Sequence, residues 1–160
     1  MKRVLIVGAG QVGATLGQAW LKRGYDVRFG VPDPANPKYA ELPRDRLQPA
    51  AERRGAEVIV LAVPFPAVQS AIVALGDIAG AIVIDCTNPL GMGPNGLYLT
   101  IGHDTSGGEQ VAMWAKGALV FKTLNQTGAE NMADTSAFGP KPMMFVAGDD
   151  ADGKAVVLRM

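Results

Sequence analysis

Residues 2–13 read Lys-Arg-Val-Leu-Ile-Val-Gly-Ala-Gly-Gln-Val-Gly, and this stretch decides the fold that we expect. An apolar, β-branched run too short for a helix begins at Val4, three glycines follow with the spacing G-x-G-x-x-G, and helical spacing of apolar residues comes next. A strand, a glycine turn and a helix in this order are the context in which the motif binds a dinucleotide. Gly8 then permits the tight turn, Gly10 lets a pyrophosphate approach the backbone, and Gly13 lets the helix pack on the strand. A turn that binds nothing explains one of these glycines but not all three.

The composition is typical of a globular chain with little net charge. The 160 residues suit one domain over residues 1–160, 48% of them are hydrophobic, and 15 basic residues balance 15 acidic ones. A neutral chain without a basic cluster is a poor match for nucleic acid or an anionic membrane, so we expect neither as a partner. No apolar run reaches the roughly 20 residues of a membrane span. The single cysteine, Cys86, excludes an internal disulfide and fits a reducing cytoplasm, where we expect the protein to reside.

Strands alternate with helices along the rest of the chain. Alternation of apolar and polar residues predicts a strand at residues 25–30, and apolar runs predict strands at residues 57–63, 81–85, 118–121 and 143–147. Helices are expected after Pro64, after Ser106 and after Asp149 or Asp150. Residues 39–57 carry weak signals, with a short strand near Arg46, and a glycine-rich loop of about a dozen residues follows Leu90. This alternation predicts an α/β fold, a Rossmann-type doubly wound, mainly parallel sheet with helices on both faces.

In such a sheet, ligands bind beyond the carboxyl ends of the strands. Those ends correspond to residues 8–13, 30–33, 62–65, 86–90 and 122–128. We therefore expect these five stretches to meet at one cleft.

Several polar residues at the strand ends have more than one interpretation. Asp85 binds ribose hydroxyls or a metal, or it caps a loop amide, and the cap is the commoner role. Lys122 binds a substrate phosphate or carboxylate, or it is a solvated strand-end lysine. The Asn88 side chain can fix a carboxamide or a neighbouring loop, and Asn125 is similar.

The remaining reactive residues favour plain structural roles. We expect Cys86 to be a buried small hydrophobe rather than a redox sensor. The single histidine, His103, excludes a histidine-rich metal site and is expected on a surface loop rather than in catalysis. We therefore assign no catalytic side chain and no metal ligand.

Two longer motifs resemble a known family. They are T-N-P-L at residues 87–90 and K-x-x-N-x-x-G-A-E-N at residues 122–131, and both are more specific than the glycine motif. Together with residues 7–13, 60–64, 105–106 and 144–150, they resemble the NADPH-dependent deazaflavin (coenzyme F420) oxidoreductases and the wider group of dinucleotide-binding oxidoreductases. The resemblance extends over the whole chain.

The resemblance implies hydride transfer between NADP(H) and a deazaflavin or flavin, a small-molecule redox partner. In such transfer the protein mainly binds the two rings, aligns them and excludes water from them. The cofactor contacts expected from the glycine motif and the resemblance together are Gly8, Ala9, Gly10, Gln11, Val12, Gly13, Val31, Pro32, Lys38, Ala62, Val63, Pro64, Asn88, Pro89, Asn125, Thr127 and Ala129.

The sequence departs from the family pattern in two ways. NADP-specific members usually carry Ser-Arg after the second strand to hold the 2′-phosphate, whereas this chain has Val31 and Pro32, neither of which forms a charge-assisted bond. Lys38 or Arg28 is the candidate replacement, and Asp33 is the one nearby acid for NAD, so NAD(H) stays open. Family members also carry a further C-terminal segment that closes the substrate site and helps to form a dimer, so a homodimer is an option.

Two other functions remain open at the level of sequence. The chain could be a dinucleotide-binding module without its own catalysis, acting as a sensor or as a subunit that needs a partner. It could also be an imine or hydroxy-acid reductase on the same domain, although those enzymes usually need a large helical second domain.

Overall fold

A six-stranded parallel sheet forms the centre of the computed structural model, which describes residues 2–136, 138–140 and 142–160. The strands are β1 (Arg3–Val7), β2 (Asp26–Val31), β3 (Leu47–Pro49), β4 (Val58–Leu61), β5 (Ile82–Asp85), β6 (Leu90–Gly93), β7 (Gly96–Leu99) and β8 (Leu119–Lys122). The helices are α1 (Gln11–Lys22), α2 (Val68–Leu75), α3 (Gly107–Trp114), α4 (Glu130–Ala133) and α5 (Ala151–Leu158). The sheet order is β3-β2-β1-β4-β5-β8, and β6 and β7 form a separate antiparallel hairpin. The order reverses between β1 and β4, which confirms the doubly wound Rossmann-type fold.

The alternation of side chains along β1 explains why both faces of the sheet carry helices. Val4 and Ile6 belong to a core that includes residues of α1 and α5. Leu5 and Val7 point to the opposite core, which includes residues of α2 and α3. Because both faces are covered, the central strands are apolar at nearly every position, as the sequence predicted.

Two helix starts follow their local sequence signals. Ser106 caps α3 through a capping box, with Glu109 N–H donating to Ser106 Oγ at 3.2 Å. Asp150 caps α5 by accepting from the Gly153 N–H at 2.6 Å. Among the described residues, no helix combines the length and the apolar character needed to cross a bilayer.

Two expected elements differ from the structure. Residues 143–147 do not form a strand, because only Ala147 pairs with the edge strand β8, through an isolated antiparallel bridge to Lys122. Met143 and Phe145 stay 76% and 65% exposed, so the run gains too little burial to support a strand. The glycine-rich stretch expected as a loop after Leu90 contains the β6–β7 hairpin instead.

The segment between β2 and β4 contains the expected short strand. It is β3, which pairs in parallel with β2 from Phe29 opposite Leu47 to Val31 opposite Pro49. Short 3₁₀ turns at Pro37–Tyr39 and Arg44–Arg46 stand where a longer crossover helix would usually lie. These turns leave open space beside the amino-terminal end of α1.

Candidate active site

Backbone hydrogen bonds hold the strand ends side by side at one edge of the sheet. Ala62 N–H donates to Val7 O at 2.9 Å, and Cys86 N–H donates to Leu61 O at 3.1 Å. At the far side, Thr123 N–H donates to Asp85 O at 3.2 Å. The segments that follow β1, β4, β5 and β8 are therefore neighbours, as the parallel topology requires.

The three glycines of the first turn are needed for different reasons. A Cβ on Gly8 would lie 2.5 Å from Ala62 O, and Gly8 also has a φ of +99°. A Cβ on Gly13 would lie 2.1 Å from Gly8 O. A Cβ on Gly10 would meet no atom within 4 Å. Packing of the chain on itself thus requires Gly8 and Gly13, whereas Gly10 borders open space.

The amino-terminal end of α1 is free to bind an anion. Its N-cap residue is Gly10, no side chain in the described part of the chain caps it, and its first turn contains no acidic residue. The first N–H groups of a helix lack intrahelical partners and carry the positive end of the helix dipole. This end points a set of donors at the open space beside Gly10, where a phosphate would be stabilised.

Two cavities flank this helix end, and both include Gly10 and Gln11 in their walls. The first cavity, of about 250 Å³, is lined by Ala9, Gly10, Gln11, Ala14, Gln18, Lys38, Tyr39, Glu41 and Leu42. The second cavity, of about 310 Å³, is lined by Gly10, Gln11, Val12, Ala62, Val63, Pro64, Phe65, Cys86, Thr87 and Asn88. The helix end therefore lies between two spaces of similar size.

A third and larger cavity, of about 630 Å³, adjoins the second one through Asn88, which lines both. Its apolar wall consists of Pro89, Leu99, Ile101, Ala112 and Val120. Its polar wall includes Thr105, Ser106, Glu109, Lys122, Asn125 and Asp149. Hydrogen bonds from Ser106 lower the pKa of Glu109, so this carboxylate is ionised at neutral pH and engaged by its own helix.

A buried ion pair joins the ends of β5 and β8. Asp85 is fully buried, and its carboxylate lies 3.1 Å from Lys122 Nζ. Asp85 Oδ1 also accepts from the Thr87 N–H at 2.9 Å and from Thr87 Oγ1 at 2.7 Å, while Lys122 donates to Thr87 O. Asp85 thus caps the loop that follows it, the commoner of the roles considered. The Lys122 ammonium is held by this network rather than fully solvated, and its side chain, which is 21% exposed, also lines the third cavity.

Two asparagines form a bridge between the loops after β5 and β8. Asn88 Nδ2 donates to the backbone O of Asn125 at 3.2 Å, and Asn125 Nδ2 donates to Asn88 Oδ1 at 3.0 Å. Leu124, which precedes Asn125, has a φ of +62°, a conformation that a branched residue rarely adopts. The Asn88–Asn125 bridge lies where the second and third cavities meet.

Cys86 lies at the wall of the second cavity and belongs to the apolar core. Burial raises the pKa of its thiol to about 12, and the Asp85 carboxylate beside it acts in the same direction, against a lowering by Lys122. The thiol is therefore protonated at neutral pH. This agrees with a buried small hydrophobe rather than a reactive thiolate.

Some expected cofactor contacts lie away from the three cavities. Val31 is fully buried and Pro32 is exposed, and neither lines any of the three. Thr127 accepts from Asn131 Nδ2 at 3.0 Å, and Ala129 is buried beside it in the chain. Arg28, an alternative phosphate ligand, donates to Asp45 O instead of facing the first cavity.

Other expected contacts do come together. Lys38 lines the first cavity, with its Nζ 4.9 Å from the centre of the Tyr39 ring. From the glycine turn, Gly10, Gln11 and Val12 line the second cavity together with residues 62–64, and Ala9 lines the first, whereas Gly8 and Gly13 line none of the three. Pro89 and Asn125 line the third cavity. His103 is exposed and lies outside the walls of all three, as expected of a surface loop residue.

Sequence reasoning missed several lining residues. Ala14 and Gln18 lie three and seven residues after Gln11, so they share one face of α1, and this helical spacing could have revealed them. Leu99 and Ile101 reach the third cavity through the β6–β7 hairpin, for which the sequence carried no recognised signal.

Comparisons with solved structures find proteins of the same fold. A protein from Arthrobacter sp. FB24, described as a provisional F420-dependent NADP-reductase, is 29% identical, and the match covers 99% of this chain and 79% of that one with a TM-score of 0.90. A hypothetical protein from Sinorhizobium meliloti is 22% identical over 99% of this chain and 79% of its own, with a TM-score of 0.82. A reductive aminase from Aspergillus terreus, solved with NADPH and ethyl levulinate, is 19% identical over 82% of this chain and 43% of its own, with a TM-score of 0.59. The last two similarities show the fold alone.

A comparison with curated proteins finds no match. A family model described as NADP oxidoreductase, coenzyme F420-dependent, matches residues 3–89, more than half of the chain. This range includes the glycine turn, the wall at residues 62–64 and the loop that carries Asn88. The chain belongs to the family of coenzyme F420-dependent NADP oxidoreductases.

Proposed function

We propose that this protein is an NADP(H)-dependent oxidoreductase that transfers a hydride between nicotinamide and a deazaflavin or flavin acceptor. The observation that carries this proposal is the row of three cavities. The first and second share Gly10 and Gln11, and the second and third share Asn88. A dinucleotide has two nucleosides on either side of a pyrophosphate, which is the arrangement that the first two cavities and the helix end between them would accept.

The pyrophosphate would lie at the free end of α1, close to Gly10. The open space at the position of a Gly10 Cβ and the uncapped N–H groups both fit an anionic group there. The fit does not depend on any side chain, because the donors belong to the backbone. The residues present at this end of α1 therefore fit the pyrophosphate of a dinucleotide.

The adenosine half would then occupy the first cavity. Lys38 is the cation in its wall, and Arg44 lies beside the same loop, donating to Pro34 O at 3.2 Å. Lys38 supports NADP(H) over NAD(H), since an ammonium binds phosphate, whereas Glu41 places an opposite charge in the same wall and Arg44 lies outside it. Lys38 would therefore replace the Ser-Arg pair that Val31 and Pro32 cannot supply.

The nicotinamide half would occupy the second cavity, and the acceptor ring the third. When bound, NADPH supplies the hydride, and the chain's own residues orient and enclose it. Val63, Pro64 and Phe65 provide apolar surface that excludes water. The Asn88–Asn125 bridge holds the boundary between the two spaces, and the buried Asp85–Lys122 pair holds the loop that carries Asn88. Such transfer needs alignment and exclusion of water rather than an acid–base pair.

The test of the proposal is binding and turnover by the full chain. NADPH titrated against the protein should change its fluorescence, and adding coenzyme F420 or a flavin should then cause NADPH oxidation. Gly10→Val should weaken NADPH binding by about a hundredfold, since the new side chain fills the phosphate space.

The matched control is Gly139→Val, at a second glycine whose Cβ would also meet no atom within 4 Å. This variant should bind NADPH as the parent does. Absence of NADPH binding by the parent chain would refute the proposal. Tight binding without turnover on any of these acceptors would favour a non-catalytic dinucleotide-binding module.

A further inference from the structure

The amide orientations in the Asn88–Asn125 bridge follow from one backbone atom. The carbonyl O of Asn125 can only accept a hydrogen bond, so the Asn88 group 3.2 Å from it must be Nδ2. Asn88 Oδ1 consequently faces Asn125, whose side chain must present Nδ2 at 3.0 Å. Asn125 Oδ1 is therefore the side-chain atom of this bridge that has no partner. The assignment of the amide oxygen and nitrogen follows from the hydrogen bonds and is not a free choice.

Asn125 Oδ1 is buried and has no hydrogen-bond partner among the described residues. Buried polar atoms without a partner are rare in native proteins, since the lost hydration is not replaced. The preceding residue, Leu124, has its φ at +62°, a second unfavourable feature of the same turn. Two such features at adjacent residues indicate that this turn is shaped for something other than stability.

Several polar groups in the wall around Asn125 already have partners, while the Asp149 carboxylate is a further polar group of that wall. The Lys122 ammonium is bound to Asp85 and Thr87. Ser106 and Glu109 bond to each other. Asn125 lines the third cavity and not the second, and its Oδ1 is covered by protein atoms rather than exposed to that cavity.

We propose that Asn125 Oδ1 accepts a hydrogen bond from a ring N–H of the hydride acceptor and thereby selects acceptors that carry one. This inference rests on the proposed function. The imide N–H common to flavin and deazaflavin rings is such a donor, and the apolar wall of Pro89, Leu99 and Ile101 suits the flat face of the same ring. Because the oxygen is covered, contact requires a small rotation of the Asn125 side chain toward the cavity. A site built around a hydrogen bond rejects an analogue that lacks the donor.

The experiment compares riboflavin with riboflavin methylated at the imide nitrogen, which lacks this donor. Binding of each to the full chain is measured by quenching of flavin fluorescence, with NADP⁺ present. The parent protein should bind riboflavin at least about tenfold more tightly than the methylated analogue. In Asn125→Ala the ratio should fall to about one, through weaker binding of riboflavin.

Gln126→Ala is the matched control, because this neighbouring side chain donates to Phe145 O and does not line the third cavity. It should keep the full ratio. Equal binding of the two flavins by the parent chain, or no flavin binding at all, would overturn the inference whether or not Asn125→Ala folds. An unchanged ratio in folded Asn125→Ala would do the same.

Weaker NADPH binding in Asn125→Ala, with the flavin ratio intact, would assign the oxygen to the nicotinamide carboxamide and overturn the inference. Turnover is a separate readout. If the chain discriminates between the flavins through Asn125 but oxidises no NADPH, the proposed function is refuted. The hydrogen bond between Asn125 Oδ1 and the ring N–H is still supported.

Discussion

The two halves of the candidate site are built in different ways. At the β1–α1 turn, glycine backbone and an uncapped helix end provide the surface, and no side chain caps the helix. At the ends of β5 and β8, the surface depends on side chains, with a fully buried Asp85, the Lys122 ammonium and the Asn88–Asn125 bridge. Backbone donors suit a phosphate, which needs charge and close approach, whereas positioned amides suit the alignment of two rings. The difference predicts that changes in the two halves will have separable effects.

The largest effect is expected from Lys122→Met. Removing the ammonium leaves the Asp85 carboxylate buried without its ionic partner, which should reduce the free energy of unfolding by about 3–5 kcal/mol. Urea denaturation measures this loss. The double variant Asp85→Asn with Lys122→Met should recover part of the lost free energy of unfolding. A loss under about 1 kcal/mol in Lys122→Met alone would show that the ion pair does not stabilise the ends of β5 and β8.

The next effect separates two glycines of one motif. Gly13→Ala places a Cβ 2.1 Å from Gly8 O, so the turn must move, and the free energy of unfolding should fall by about 3 kcal/mol. Gly10→Ala has open space and should change it by less than about 1 kcal/mol. Thermal or urea unfolding of the two variants side by side gives the answer. Similar losses in both would contradict a division between a packing role and a ligand role.

Lys38→Ala should act on the cofactor rather than on the fold. Losing this cation from the wall of the first cavity should weaken NADPH binding about tenfold and leave NADH binding nearly unchanged. Fluorescence titration with both dinucleotides measures the ratio. Equal losses of affinity for NADPH and NADH would show that Lys38 does not bind the 2′-phosphate. Arg44→Ala would then test the second cation near this loop.

The last prediction concerns Cys86 and pH. The folded pKa of about 12 lies above the ordinary value of 9.0, so the folded state favours the neutral thiol. Its contribution to stability is complete below pH 9 and is lost as the pH rises from about 9 toward 12, because the unfolded thiol ionises first. The difference in unfolding free energy between the parent chain and Cys86→Ala, followed across this range, measures it. A difference that is constant with pH would contradict the raised pKa.

Local sequence patterns anticipated much of the fold. The strands around Val4, Ile59 and Val83 were predicted from apolar runs and the strand around Val27 from alternation. The capping box at Ser106 was predicted from its spacing. These features depend on neighbours in the chain, so the residues themselves carry the signal. The prediction of a strand at residues 143–147 was wrong, because a strand there would need to pair with β8, which is distant in sequence. Only Ala147 makes such a pair.

Within the site, the sequence pointed to the right loops more often than to the right contacts. Asp85 and Lys122 each had two or more interpretations, and only their 3.1 Å separation shows that each is the partner of the other. The side chain of Lys38 was one of two candidate cations, and its place in the first cavity separates it from Arg28. Asn125 lies 37 positions after Asn88 in the chain, so no spacing rule could indicate their bridge.

The sequence by itself determined the Rossmann-type fold, the positions of most strands and the glycine turn, because these follow from short-range periodicity and from backbone freedom at Gly8 and Gly13. Only the tertiary structure decided that Gly10 borders open space, that Asp85 neutralises Lys122, and that Asn125 keeps an unpaired oxygen at the third cavity. The physical reason is that burial, ion pairing and cavities are properties of groups brought together from distant parts of the chain. A pattern within one segment describes what that segment can form, and packing against the others decides what it faces.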